Sequence, residues 1–108
     1  MATLSGFVNS ELIKVEAAPT TGSSLTIQSP YNWLLLTNQA TLAALTIVMP
    51  TAPVDDQLVS ISNPGTAITA LTFSPTAIGF ANASALASSA GINLGYSAAL
   101  SAWFVANI

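Results

Sequence analysis

Thr41–Ser74, TLAALTIVMPTAPVDDQLVSISNPGTAITALTFS, decides how this chain is read. Three runs in it are strand-like: Ala44–Met49, Gln57–Asn63 and Ala70–Ser74. Each is rich in Leu, Ile, Val, Thr or Phe, side chains that fit a pleated, half-buried surface. The breaks between them carry turn chemistry. Pro50 and Pro53 bracket one break before Asp55-Asp56, and Asn63-Pro64-Gly65-Thr66 forms the other. Proline fixes φ and cannot donate to a ladder, and Asn-Pro-Gly favours a tight turn. The stretch therefore predicts a meander of short strands.

Working outward, the Leu-Thr-Ile phrase recurs. Ser24-Leu25-Thr26-Ile27, Ala44-Leu45-Thr46-Ile47 and Ala70-Leu71-Thr72-Phe73 are each followed by a proline, Pro30, Pro50 and Pro75. The spacing is irregular, so a strict solenoid repeat is not indicated. Two readings stay open: plain reuse of a β-rich phrase, or one strand per face of a repeating prism. Residues 31–38, YNWLLLTN, predict another strand, with Trp33, Leu35 and Thr37 on one face and Leu34, Leu36 and Asn38 on the other. Leu100–Ile108 repeats the pattern, with Phe104 on one face and Trp103 on the other. In both runs both faces are largely apolar, which a strand with one wet face does not need. Residues 75–98 are ambiguous. Ala83–Ala90 could form one or two helical turns capped by Asn82 or Ser84, or the segment is an irregular loop feeding a last hairpin.

The chain has 108 residues, enough for one domain. Its five charges, Glu11, Lys14, Glu16, Asp55 and Asp56, amount to 5% of residues, against about 25% in an ordinary soluble domain. Solubility must rest on Ser, Thr, Asn and Gln, or the chain buries much of its outside against copies of itself or a partner; the second is expected. No apolar run is long enough for a membrane-spanning helix. The opening MATLSGFVNSELIKVEAAP lacks a basic segment followed by an apolar one, so no signal peptide is expected. Residues 1–23 hold three of the five charges, Glu11, Lys14 and Glu16, and read as an attachment arm or an outer strand; residues 24–108 read as a single β domain.

Candidate chemistry is sparse. There is no Cys and no His, and the one basic side chain is Lys14. Ser-His-Asp and Cys-His catalysis and a Cys/His zinc site are ruled out by residue type. So is the basic patch that nucleic-acid binding requires. Asp55-Asp56 reads as a pair of solvated turn aspartates or a weak calcium site. No enzyme activity, cofactor or metal is expected. Tyr31, Trp33, Tyr96 and Trp103 are the aromatics that could form a sugar-stacking platform; the competing reading is that such residues in strands are core or subunit interface. Trp33, Leu35, Phe73, Trp103 and Phe104 are the candidate core or oligomer-interface anchors.

From residue 41 onward the order of features resembles modules of phage virion proteins of the head-decoration, head-fibre and tail-fibre type. The matching pieces are Ala44-Leu45-Thr46-Ile47-Val48-Met49-Pro50, Asp55-Asp56-Gln57-Leu58-Val59-Ser60-Ile61, Ala70-Leu71-Thr72-Phe73 and Ala102-Trp103-Phe104. After Pro75 the chain departs from that pattern, with an Ala/Ser-rich segment in place of a Gly-rich one. The resemblance implies a structural virion protein, a capsid decoration or head-fibre subunit seated on the major capsid protein or another virion component. It also implies a homotrimer. The alternative is a tail-fibre or lectin-like module binding host glycans. The expected fold is all-β, a small antiparallel sandwich or prism-like meander completed by trimerisation.

Overall fold

The computed structural model describes residues 13–28 and 31–107. Nine strands are described: β1 Lys14–Ala17, β2 Ser23–Thr26, β3 Trp33–Leu36, β4 Leu45–Val48, β5 Leu58–Asn63, β6 Ile68–Ser74, β7 Ser84–Leu86, β8 Ala90–Ser97 and β9 Ala102–Asn107. The fold is all-β, with no helix among the described residues. The runs Ala44–Met49 and Gln57–Asn63 contain β4 and β5, while Ala70–Ser74 is the last part of β6, which begins two residues earlier at Ile68.

The strands form two sheets. Sheet A has the order β1-β3-β5-β8-β9 and sheet B the order β2-β4-β6-β7. Up to β6 the chain alternates between them, laying down one strand of A and then one of B. Strands adjacent within a sheet are therefore never consecutive in this part of the chain, and β1, β3 and β5 pair in parallel, as do β2, β4 and β6. Here a strand in the other sheet supplies the crossover that parallel pairing needs. Antiparallel pairing is confined to the C-terminal strands: β7 on β6, β8 on β5 and β9 on β8. The sheets are thus mixed where antiparallel pairing was expected throughout.

This coil explains the recurring phrase. Leu45, Thr46 and Ile47 pair with Leu71, Thr72 and Phe73 in register. The first copy is offset by two places, Leu25 pairing with Ile47. A two-residue offset keeps every side chain on its own face, where a one-residue slip would invert all of them. Leucine and Ile/Phe point inward and threonine points outward at each level.

Between the sheets lies one core. Leu34, Leu36, Val59, Ile61, Ile92, Leu94 and Trp103 come from sheet A; Leu45, Ile47, Ile68, Leu71, Phe73 and Leu86 come from sheet B. Phe73 meets Phe80 edge to face at 5.1 Å, and Trp103 meets Tyr96 at 5.4 Å. At one end the turns after β3 and β5 stack. Gly65 N–H donates to Leu36 O and Thr66 N–H to Asn38 O. The buried Asn38 side-chain amide donates to Ala40 O, Thr66 O and Thr66 Oγ1, and that of Asn63 to Thr66 O, Leu86 O and Ala87 O.

The helical alternative for Ala83–Ala90 is overturned. Ala83 and Ser89 both have positive φ, 65° and 66°, which no helix admits. Ser84–Leu86 pairs with β6 instead, and Asn82 accepts the Phe73 N–H on its Oδ1 rather than capping a helix. Alanine's helix propensity is small beside the burial of Leu86 and the ladder that holds it. Glu11, Ser29, Pro30 and Ile108 lie outside the described residues.

Candidate functional site

The two outer faces differ in chemistry. On sheet B the outward positions are Ser24, Thr26, Thr46, Val48, Thr72 and Ser74, a ladder of hydroxyls broken by one valine. These threonines satisfy water on a face that carries no charge. Sheet A is different. Its outward positions run in rows across the strands, and side chains in one row are direct neighbours.

One row pairs Leu58 with Gly95 and Gly95 with Phe104; Phe104 continues through a parallel bridge to Ile78. Leu58 is 50% exposed and Ile78 51%, while Phe104 lies half-buried between them. Gly95 makes this possible: a Cβ there would lie 2.9 Å from Phe104 Cζ. The absent side chain is the seat of the phenyl ring. The next row is Lys14, Trp33, Ser60 and Asn93. Trp33 Nε1 donates to Ser62 Oγ at 3.0 Å, Lys14 Nζ stands 5.6 Å from the Trp33 ring centroid, and Ser60 Oγ donates to Asn93 Oδ1 at 2.7 Å. A third row, Glu16, Leu35, Ser62 and Gly91, borders an open depression of about 390 Å³ that also touches Asn63, Pro64, Ser89 and Ala90. Lys14 and Glu16, both on β1, form an ion pair at 2.9 Å.

The candidate anchors therefore divide. Phe73 and Trp103 are core, each 1% exposed, whereas Trp33, Leu35 and Phe104 stand half-buried on the outer face of sheet A. Of the four candidate platform aromatics, Trp103 is sealed between the sheets and Tyr96 packs on it, so neither joins a surface platform. Tyr31, 40% exposed, and Trp33 remain accessible. Leu58 and Ile78 belong to the same face and were not singled out from sequence. Strand parity puts Leu58 with Ser60 and Ser62, but nothing local says that this side faces away from the core.

Of the proposed attachment residues, Lys14 and Glu16 lie on an edge strand of sheet A. Asp55 and Asp56 are exposed in the loop before β5; Asp55 Oδ1 accepts the Ala98 N–H at 2.8 Å, and Asp56 N–H donates to Tyr96 O. They tie this loop to the β8–β9 turn. Among the described residues no three of His, Cys, Asp and Glu gather as a metal-binding group, and no helix is long and apolar enough to cross a membrane. Comparison with known protein families, with curated proteins and with solved structures finds no match to this chain.

Proposed function

We propose that this chain is a structural subunit that acts by association through the outer face of sheet A, as a capsid decoration or head-fibre protein on a virus particle. One observation carries the association: Leu58, Phe104 and Ile78 form an outward apolar row, joined by Trp33 and Leu35, on a chain whose opposite face is a hydroxyl ladder. Covering that row removes apolar surface from water, and the scarcity of charge leaves little to oppose close approach. The location on a virion, and three copies as the unit, come from the sequence resemblance to phage surface modules.

Light scattering behind a sizing column tests the reading. The expected result is an oligomer whose mass is unchanged in high salt, because burial of apolar surface is not screened. A monomer at every salt concentration would refute it. Glycan binding is the second reading, and a specific observation favours it: the accessible pair Tyr31 and Trp33 lies beside the polar groups of Ser60, Ser62 and Asn93. Quenching of Trp33 fluorescence by sugars, lost in Trp33→Phe, is its signature. With Trp103 buried, the accessible indole is Trp33.

A further inference from the structure

Among the described residues the two ends of the coil differ: Ile78 bridges the outer edge of β9 at one, and no strand pairs beyond β1 and β2 at the other. At the C-terminal end β7, β8 and β9 cover the last parallel strands. At the other end β1 is the edge of sheet A and β2 the edge of sheet B, with no strand beyond either among the described residues. Both edges lie at the same end because the chain lays down its strands in pairs. The core thins there: Val15, Ala17 and Leu25 are only half-buried, whereas their neighbours Leu34, Leu36 and Ile47 are fully buried. An uncovered rung of this kind is what the terminal repeats of stacked β architectures normally shield.

We infer that this first rung is covered by the first rung of a second copy, the two β1 strands pairing antiparallel about a twofold axis at Val15. The backbone sets the register. Ile13 O and Ala17 O accept amides from the β3 side, of Trp33 and Thr37. Along a strand these directions alternate, so the N–H and C=O of Lys14 and Glu16 point away from β3, into the open edge. In an antiparallel pair centred on Val15, Lys14 and Glu16 of one copy exchange hydrogen bonds with Glu16 and Lys14 of the other. Their side chains then face each other directly, lysine opposite glutamate twice over, on the outer face of the joined sheet. Val15 meets its own copy on the core side, where it is now half-exposed. The sequence Lys14-Val15-Glu16 is thus self-complementary in both backbone and charge, as a twofold interface requires. The same axis, normal to the sheets, turns β2 towards its copy. Parallel pairing would set Lys14 against Lys14 and is disfavoured.

This contact is separate from the one through the face of sheet A, and one experiment distinguishes them. Sedimentation velocity of the full chain is run over a dilution series in low salt. The face contact sets the mass at the lowest concentration. The rung contact, only four residues per edge, is weak and doubles that mass as concentration rises into the micromolar range. Lys14→Glu places like charges opposite each other at both symmetric sites and is expected to weaken the doubling by about tenfold or more. The double variant Lys14→Glu/Glu16→Lys restores facing opposites and is expected to recover it. Both positions are exposed on an edge strand, so each variant folds. A mass that never doubles, or that doubles equally in Lys14→Glu, overturns the inference and leaves association through the face standing. Coverage of the rung by the chain's own first twelve residues would show as the first of these.

Discussion

Gly65→Ala tests whether the stacked turns after β3 and β5 are packed as tightly as the fold requires. A Cβ at position 65 would lie 2.6 Å from Asn38 O, 2.9 Å from Asn38 N and 2.9 Å from Asn38 Oδ1. Ordinary contact begins near 3.4 Å, and two of the three obstacles are backbone, so no rotamer change relieves the clash. The two turns must separate by most of an ångström. The bonds spanning that gap are Gly65 N–H to Leu36 O and Thr66 N–H to Asn38 O, both already 3.2 Å long, together with the Asn38 amide on Thr66. Two backbone hydrogen bonds are worth about 1 kcal/mol each, and a buried amide left unpaired costs about 1–3 kcal/mol. The sum is a loss of about 3–5 kcal/mol, a large fraction of the stability of a domain this size. In thermal unfolding followed by circular dichroism this corresponds to a fall in Tm of roughly 15–30 °C. Gly22→Ala is the control. Gly22 has φ +80° but nothing within 4 Å of a Cβ, so only backbone strain acts there and the loss should be about 1 kcal/mol. A Gly65→Ala protein within about 1 kcal/mol of wild type would refute the packing argument.

Other outcomes follow from the same geometry. Asn63→Ala strips the amide from three carbonyls, Thr66 O, Leu86 O and Ala87 O, and should cost about 2–4 kcal/mol in urea unfolding, with the attachment of β7 most affected. Trp103→Ala, in the core, should cost about 3–5 kcal/mol, whereas Trp33→Ala on the half-exposed face should cost clearly less; equal losses would contradict the two-face assignment. Gly95→Ala pushes Phe104 off its seat and should cost about 1–2 kcal/mol by the same assay. Leu58→Lys and Ile78→Lys should leave stability within about 0.5 kcal/mol of wild type while abolishing salt-resistant association in light scattering.

Much of the strand content was legible because alternation at period two is local. The division into faces in YNWLLLTN and LSAWFVANI follows from parity alone: Leu34 and Leu36 share one side with Trp33 opposite, and Trp103 stands opposite Phe104. Which of two apolar faces meets the core is not local. It is settled by which strands lie across the sandwich, so Trp33 and Trp103, identical by composition, end on opposite sides of sheet A. Partner choice was hidden for the same reason. The Asn-Pro-Gly turn reads as the start of a hairpin, yet it passes the chain from β5 in one sheet to β6 in the other. Leu-Thr-Ile did hold the information about pairing, since its second and third copies sit side by side in register. Loops of unequal length masked the repeat. In Ala83–Ala90 the sequence favoured helix weakly, and two residues with positive φ together with the anchoring of Leu86 outweighed it.

The alternation between sheets also fixes when each strand can find its neighbour. Lys14 has to wait for Trp33, and Trp33 for Ser60, so each parallel rung closes a long loop before any ladder forms. Among the described residues the one tight hairpin within sheet A, β8 with β9, follows all the parallel strands. Synthesis from the N-terminal side therefore delivers β1 to β6, with their long-loop parallel pairings, before the β8–β9 hairpin. β1 and β2 each remain without a partner until the strand two places later has emerged, and β3 and β4 each keep one edge unpaired until theirs has. The hydroxyl-bearing positions between the apolar residues of β2, β4 and β6 cost nothing to leave in water and lower the hydrophobicity of each segment while it waits.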